Sequence, residues 1–241
     1  VENMPKVVQH LHLDGSLRPE TVKEWIEEML GKKADIEAVK KLLMVDKDCK
    51  DLNQYLEKFD TPMKVLQTAE HLERATFELY EDLAKQNVVY AEVRFAPSKH
   101  LIGGLSYDEV VTAVIKGMNR AKEQYGIDGN IILCCMRGSG EQNKKENFET
   151  VETAKRFLGK GVGALDLAGA EAIFTTDNFE DVFKKAKEYN IPYTIHAGEA
   201  DGPKSINKAL DYGAKRIGHG VRCIEDEKTM ERVKKLGESE G

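Results

Sequence analysis

The 241 residues of this chain encode an α/β architecture of parallel strands linked by helices, and two features of the pattern carry that reading. Apolar periodicity switches repeatedly between two and 3.6, the signature of strands alternating with helices. The helical segments between strands are long enough to cross between parallel neighbours. The length is also close to the roughly 250 residues of a barrel built from eight such units, a coincidence, because a helical insertion takes up the length of two of them. An open doubly wound sheet and a barrel are therefore the two candidates.

Each element follows from its local pattern. Residues 6–13 alternate as a first strand, and Pro19 opens a helix with Val22, Trp25, Ile26 and Met29 on one face. An all-helical stretch, 36–86, ends in a long helix striped by Val65, Ala69, Leu72, Thr76, Leu79 and Leu83. Regular alternation then sets in. Strands are expected at 88–96, 130–136, 163–167, 193–196 and 216–218. Helices are expected at 107–125, 148–158, 179–189, 204–212 and 226–236, the first striped by Val110, Val111, Val114, Ile115 and Met118. Gly126, Gly159, Gly213 and Gly237 stand where helices should end. The pattern makes six βα units in one domain, 1–241, with a helical insertion after the first strand.

Composition excludes several functions. Hydrophobic residues make up 41% of the chain, enough for a sizeable core and too many for disorder. The longest apolar run, 131–136, falls far short of the ~18 residues a membrane-spanning helix needs. Lys and Arg number 36 against 42 Asp and Glu, a net charge of −6 without a basic block. Neither nucleic acid nor an anionic membrane surface is an expected partner. Cys49, Cys134, Cys135 and Cys223 form no C-x-x-C pair and read as reduced thiols of a cytoplasmic protein. The opening Val1-Glu2-Asn3-Met4-Pro5 lacks the basic and apolar regions of a signal peptide and reads as a trimmed end.

The chemistry gathers at strand ends. In His10-Leu11-His12-Leu13-Asp14-Gly15, residues two apart on a strand project to one side, so His10 and His12 point together with Asp14 two steps on. Such a pair either shares a borderline metal such as zinc or is two core histidines paired by hydrogen bonds. His196-Ala197-Gly198-Glu199 places a second imidazole at a strand end, with a carboxylate just beyond it suited to proton transfer. Gly218-His219-Gly220 adds a third imidazole with room on both sides. Three histidine sites at carboxyl ends match where such folds build active sites, which favours the metal. Gly169 ends the fourth strand on the same side, as a ligand-binding backbone N–H or as a simple turn. His71 and His100 read as structural, and Glu92 with Arg94 as a buried pair on one strand face. Gly138-Ser139-Gly140 and Gly159-Lys160-Gly161 match neither phosphate-loop pattern, the second being a helix-to-strand turn. No G-x-S-x-G elbow is present, so a serine hydrolase has no support.

Five stretches carry a family resemblance: His10-Leu-His-Leu-Asp-Gly-Ser-Leu-Arg-Pro-Glu-Thr21, Ala91-Glu-Val-Arg-Phe-Ala-Pro97, Gly163-Ala-Leu-Asp-Leu-Ala-Gly169, His196-Ala-Gly-Glu199 and Gly218-His-Gly220. In order and along almost the whole chain, they resemble the adenosine deaminase family of zinc-dependent barrel hydrolases. The resemblance implies a TIM-type (β/α)8 barrel, here lacking its last βα units with about six of eight present. It implies that His10, His12 and His196 bind zinc, and that His12 also lies against the substrate. By the same resemblance Glu199 protonates the purine at N1, and His219 orients and helps deprotonate the attacking water. Asp14 would hold the ribose 5′-hydroxyl and the Gly169 N–H a purine ring nitrogen. The implied reaction takes adenosine or 2′-deoxyadenosine to inosine or its deoxy form plus ammonia. The related adenine deaminases, the nearest alternative, usually carry glutamate where this chain has Asp14. Cytidine-type deaminases use H-x-E with P-C-x-x-C, which is absent here.

The family pattern continues past six units to a strand ending in adjacent aspartates, which nothing after His219 matches. Glu225-Asp226-Glu227 reads instead as acid at a helix start, and 237–241 as a frayed helix exit. Three explanations follow: an incomplete sequence, strands supplied by another chain, or an inactive remnant that binds purines or serves as a structural partner. Six strands leave two parallel edges through which copies could associate. A zinc barrel hydrolase acting on amides or phosphoesters is a further alternative, weakened because no strand ends in a lysine suited to bridging two metals.

Overall fold

The computed structural model describes residues 4–239, so the readings of Val1, Glu2, Asn3 and the last two residues lie outside the described residues. The chain divides into two compact units, Val1–Ile131 and Ile132–Gly241, the boundary falling inside the third strand.

In the first unit β1 (Lys6–His12) pairs in parallel with β2 (Val88–Phe95), Leu11 opposite Val93 and His12 opposite Arg94. The next neighbour of β2 is β3 (Asp128–Met136), where the Asn130 amide donates to the Tyr90 hydroxyl at 3.1 Å. Between β1 and β2 lies the helical insertion: α1 (Pro19–Leu30), α2 (Ile36–Leu43), α3 (Leu52–Leu56), α4 (Asp60–Val65) and α5 (Ala69–Lys85). The expected all-helical stretch is built of four helices and ends, as expected, in the long α5. Asp35, Asp51 and Thr68 each restart one by accepting a backbone N–H three residues on. Two stripe positions change as a result. Val65 closes α4 and Ala69 is exposed, so the buried face of α5 begins at Leu72. On α1 the buried face stops at Trp25, leaving Met29 60% exposed.

α6 (Tyr107–Tyr125) opens on a reciprocal capping box between Ser106 and Glu109. It packs closely on α5, and Gly117 is where the two backbones meet: a Cβ there would lie 2.3 Å from the Glu73 carbonyl oxygen. Tyr80 is fully buried and donates its hydroxyl to the Ala91 carbonyl at 3.1 Å, pinning α5 to β2. Arg18 binds Glu81 and Asp82 and so ties the loop after β1 to the same helix.

In the second unit β4 (Val162–Ala168) lies beside β3, with the Arg137 N–H donating to the Ala168 carbonyl at 2.8 Å. Leu165 bridges Tyr193 in parallel, and β5 (Thr194–Ala197) pairs in parallel with β6 (Arg216–His219). The connecting helices are α7 (Gly140–Phe157), α8 (Glu180–Glu188), α9 (Pro203–Asp211) and α10 (Glu227–Ser239). α7 starts eight residues before its expected position because Asn143 and Asn147 turn inward rather than to solvent. Both amides donate to the Met136 carbonyl, and Asn147 accepts the Met136 N–H at 2.8 Å, continuing the strand's hydrogen bonding with side chains. Gly138-Ser139-Gly140 is therefore the turn into this helix. α10 runs through Gly237, which does not stop it, and begins where Asp226 accepts the Thr229 N–H at 2.8 Å.

Among the described residues six strands are present, as expected, and their connections are helical. None of the four cysteines forms a disulfide. No described helix is long and apolar enough to cross a membrane.

Candidate active site

In the first unit the carboxyl end of β1 presents His10 and His12 half-buried on one side, their ring centroids 5.4 Å apart. Alternation along the strand brings them together despite a register shift between Val8 and Leu11. The strand end is held from behind. Arg94, buried, donates to the Gln9 carbonyl at 2.6 Å, and Ser16 Oγ donates to the His12 carbonyl at 2.6 Å. Asp14 follows, 9% exposed, with Oδ1 buried and without a hydrogen-bond partner. Burial pushes its carboxyl up to about 6, against the pull of its own and the Gly15 backbone N–H. The helical insertion adds a residue the pattern did not flag: Phe59 stands edge-on to His12 at 6.3 Å.

In the second unit His196 is buried at the end of β5, its Nδ1 2.9 Å from Asp166 Oδ2 on β4. The carboxylate fixes the tautomer and turns the ring so that Nε2 is the nitrogen to coordinate. The His196 carbonyl accepts from Arg137 at 2.6 Å. One register step on, His219 ends β6 with φ +65°, a left-handed backbone held between Gly218 and Gly220. Its ring lies 5.0 Å from that of His196, and its Nε2 3.4 Å from Glu199 Oε2. Burial pushes the His219 ring below the ordinary imidazole range, while Glu199 pulls the other way. Gly169, φ +108°, closes β4 next to Arg137.

Glu171, Asp166 and Arg137 are the residues sequence reasoning missed here. Glu171 is fully buried and accepts the backbone N–H groups of Gly198, Glu199, Ala200 and Asp201 at 2.7, 3.0, 2.8 and 3.1 Å, and the Ser205 hydroxyl at 2.6 Å. Burial works against its charge, yet these donors outweigh it and hold the carboxyl below the ordinary carboxylate range. The signal for Asp166 was available: an acid inside the otherwise apolar run of β4 needs a partner. Glu171 and Arg137 sit just beyond strand ends in irregular sequence, where no periodicity marks them.

His71 and His100 hold structural places. His71 stacks on Trp25 at 4.3 Å and bonds the Val65 carbonyl, while His100 is fully buried against the Leu66 carbonyl. Glu92 accepts from the Tyr90 hydroxyl at 3.2 Å.

Parallel strands bearing imidazoles and carboxylates at their carboxyl ends define the class, an α/β fold with its active site at the strand ends. The chain belongs to the adenosine deaminase family, whose model, described as Adenosine deaminase, matches residues 5–237. An adenosine deaminase of Clostridium perfringens is 45% identical, the match covering 98% of this chain and 71% of that protein. The crystal structure of an adenine deaminase from Arthrobacter aurescens is similar with a TM-score of 0.81 and 26% identity, covering 95% of this chain and 68% of that one. An amidohydrolase of B. ambifaria, crystallised with bound zinc, shares the fold with a TM-score of 0.83 at 21% identity over 95% of this chain and 62% of its own.

Proposed function

We propose that this chain catalyses the hydrolytic deamination of adenosine and 2′-deoxyadenosine, releasing ammonia, with zinc held by His10, His12 and His196. The observation that carries the reading is the His196–Asp166 pair at 2.9 Å, the carboxylate–imidazole arrangement that orients a metal-binding histidine. The donor set also fits, three imidazoles being suited to a borderline cation. Bound zinc supplies a Lewis acid that makes water a nucleophile near neutral pH.

The chain's own residues supply the remaining steps. Glu199 delivers a proton to purine N1 as attack at C6 pushes charge onto the ring. His219, whose burial favours the neutral ring, accepts a proton from the attacking water. The two are 3.4 Å apart, close enough to exchange protons across one site. Asp14, with a buried oxygen that lacks a partner, accepts the ribose 5′-hydroxyl. The Gly169 N–H, on a backbone only glycine adopts readily, meets a ring nitrogen.

The ultraviolet shift from adenosine to inosine tests the reading with the 241-residue chain and added zinc. Turnover is expected, and its absence leaves purine binding alone. Adenine deamination is the second reading, favoured by the similarity to the Arthrobacter enzyme; Asp14 in place of glutamate argues for the nucleoside. Self-association through the outer edges of β1 and β6 accompanies the proposal and is read by sedimentation. Cysteines without disulfides support a reducing, cytoplasmic setting.

A further inference from the structure

We propose that Glu171 is a positioning residue for Glu199: its buried carboxylate is the template on which the Gly198–Glu199–Ala200–Asp201 loop is built, and so sets where the Glu199 acid stands. This rests on the reading of Glu199 as the proton donor.

Four consecutive backbone N–H groups converge on one carboxylate, Gly198 on Oε1 and Glu199, Ala200 and Asp201 on Oε2. Such a concave run of N–H groups is an anion nest, and here a side chain of the same chain fills it. No regular element carries these residues, since β5 ends at Ala197 and α9 begins at Pro203. The loop's conformation therefore depends on the nest. Gly198 enters it at φ +74°, where a Cβ would lie 2.4 Å from Ile206 Cδ1.

A second set of contacts shows that the carboxylate is itself held in one orientation. An ionised Glu171 can only accept, so Ser205 must spend its hydroxyl proton on Oε1 at 2.6 Å. Thr176 Oγ1, 2.8 Å from Ser205 Oγ, must then donate to it, which leaves the Thr176 oxygen to accept from Arg137 at 3.0 Å. Hydrogen bonds run one way, from Arg137 through Thr176 and Ser205 to Glu171. Arg137 also donates to the His196 carbonyl. One buried cation thus anchors the strand end carrying His196, while the anion at the far end of the relay anchors the loop carrying Glu199.

Glutamine at 171 is nearly the same shape but cannot do this. Its NH2 group would face N–H donors on one side of the nest, leaving one or more of them unsatisfied. Glu171→Gln should lower kcat for adenosine by roughly 100-fold, the scale expected for a misplacement of about 1 Å, with little change in KM or in zinc content. Ser205→Ala, which removes one donor and leaves the nest, should cost far less.

The test is a double-mutant cycle with Glu199→Gln, combined with hydrogen exchange at residues 198–201. If Glu171 acts through Glu199, Glu171→Gln costs nothing further once Glu199 is glutamine. Exchange protection of the loop amides should fall in Glu171→Gln and stay near wild type in Ser205→Ala. Fully additive losses, or unchanged protection in Glu171→Gln, overturn the proposal. A wild-type chain that leaves adenosine untouched defeats the functional reading instead; exchange then still decides whether Glu171 builds the loop.

Discussion

Asp166 holds His196 by its Nδ1 at 2.9 Å, from a position with no solvent exposure on the neighbouring strand. The Leu167 N–H, 2.7 Å from Asp166 Oδ1, fixes the carboxylate in turn. A metal ligand steadied in this way loses about 10–100-fold in affinity when its outer partner is removed. Asp166→Asn should therefore weaken zinc binding by that factor while the fold survives. Competition against a chromophoric chelator reads the change, and an unaltered Kd would show that the pair serves packing only.

Asp14 is the residue through which nucleoside and free base should be told apart. A hydrogen bond to a charged group contributes about 1.5–3 kcal/mol, and its buried Oδ1 has no partner within the protein. Asp14→Ala should lower kcat/KM for adenosine by on the order of 10–100-fold and leave adenine unaffected. The ratio of the two rates is the measurement. Equal losses on both substrates would remove Asp14 from ribose recognition.

Much of this was legible in the sequence, and the particulars show why. Strand alternation made His10 and His12 neighbours, and strand ends located His196 and His219, because a period of two leaves little choice of side. The helix starts within the 36–86 stretch were hidden because Asp35, Asp51 and Thr68 act through single side-chain caps, which a periodicity count passes over. The early start of α7 was hidden for the opposite reason. Asn143 and Asn147 are polar residues with an inward, bonded role, so the apolar stripe understates the helix. Glu171 lies 27 residues from its nearest backbone donor in sequence, and a contact of that range leaves no local trace.

Gly198 is the backbone position on which the β5 exit depends. Its φ of +74° disfavours any side chain, and a Cβ would meet Ile206 Cδ1 at 2.4 Å and Cγ1 at 2.7 Å. Gly198→Ala should cost about 1–3 kcal/mol from the backbone conformation alone, with deamination impaired because Glu199 is the next residue. Adding Ile206→Ala removes both of these atoms and should restore only the steric share. Thermal unfolding of the two variants separates the contributions, and full recovery in the double variant would mean that the conformation itself is not strained.

His100 should make the fold acid-sensitive. Its Nδ1 donates to the Leu66 carbonyl at 2.8 Å, so the neutral ring carries its lone pair on Nε2, which is buried without a partner. Burial lowers its pKa to about 4, against the pull of the Leu66 carbonyl. In the unfolded chain the ring titrates near ~6.5. Between those values the unfolded state binds the extra proton and the folded state does not. Stability is thus fully present above about pH 6.5 and falls as pH drops toward about 4, by up to about 3 kcal/mol. His100→Asn keeps an N–H donor for Leu66 and removes the titration. It should be less stable than wild type at pH 7, having lost ring packing against Phe95, yet show a flatter decline between pH 6.5 and 4.5. Urea unfolding at several pH values measures both slopes, and parallel slopes would mean that His100 is protonated without cost in the folded protein.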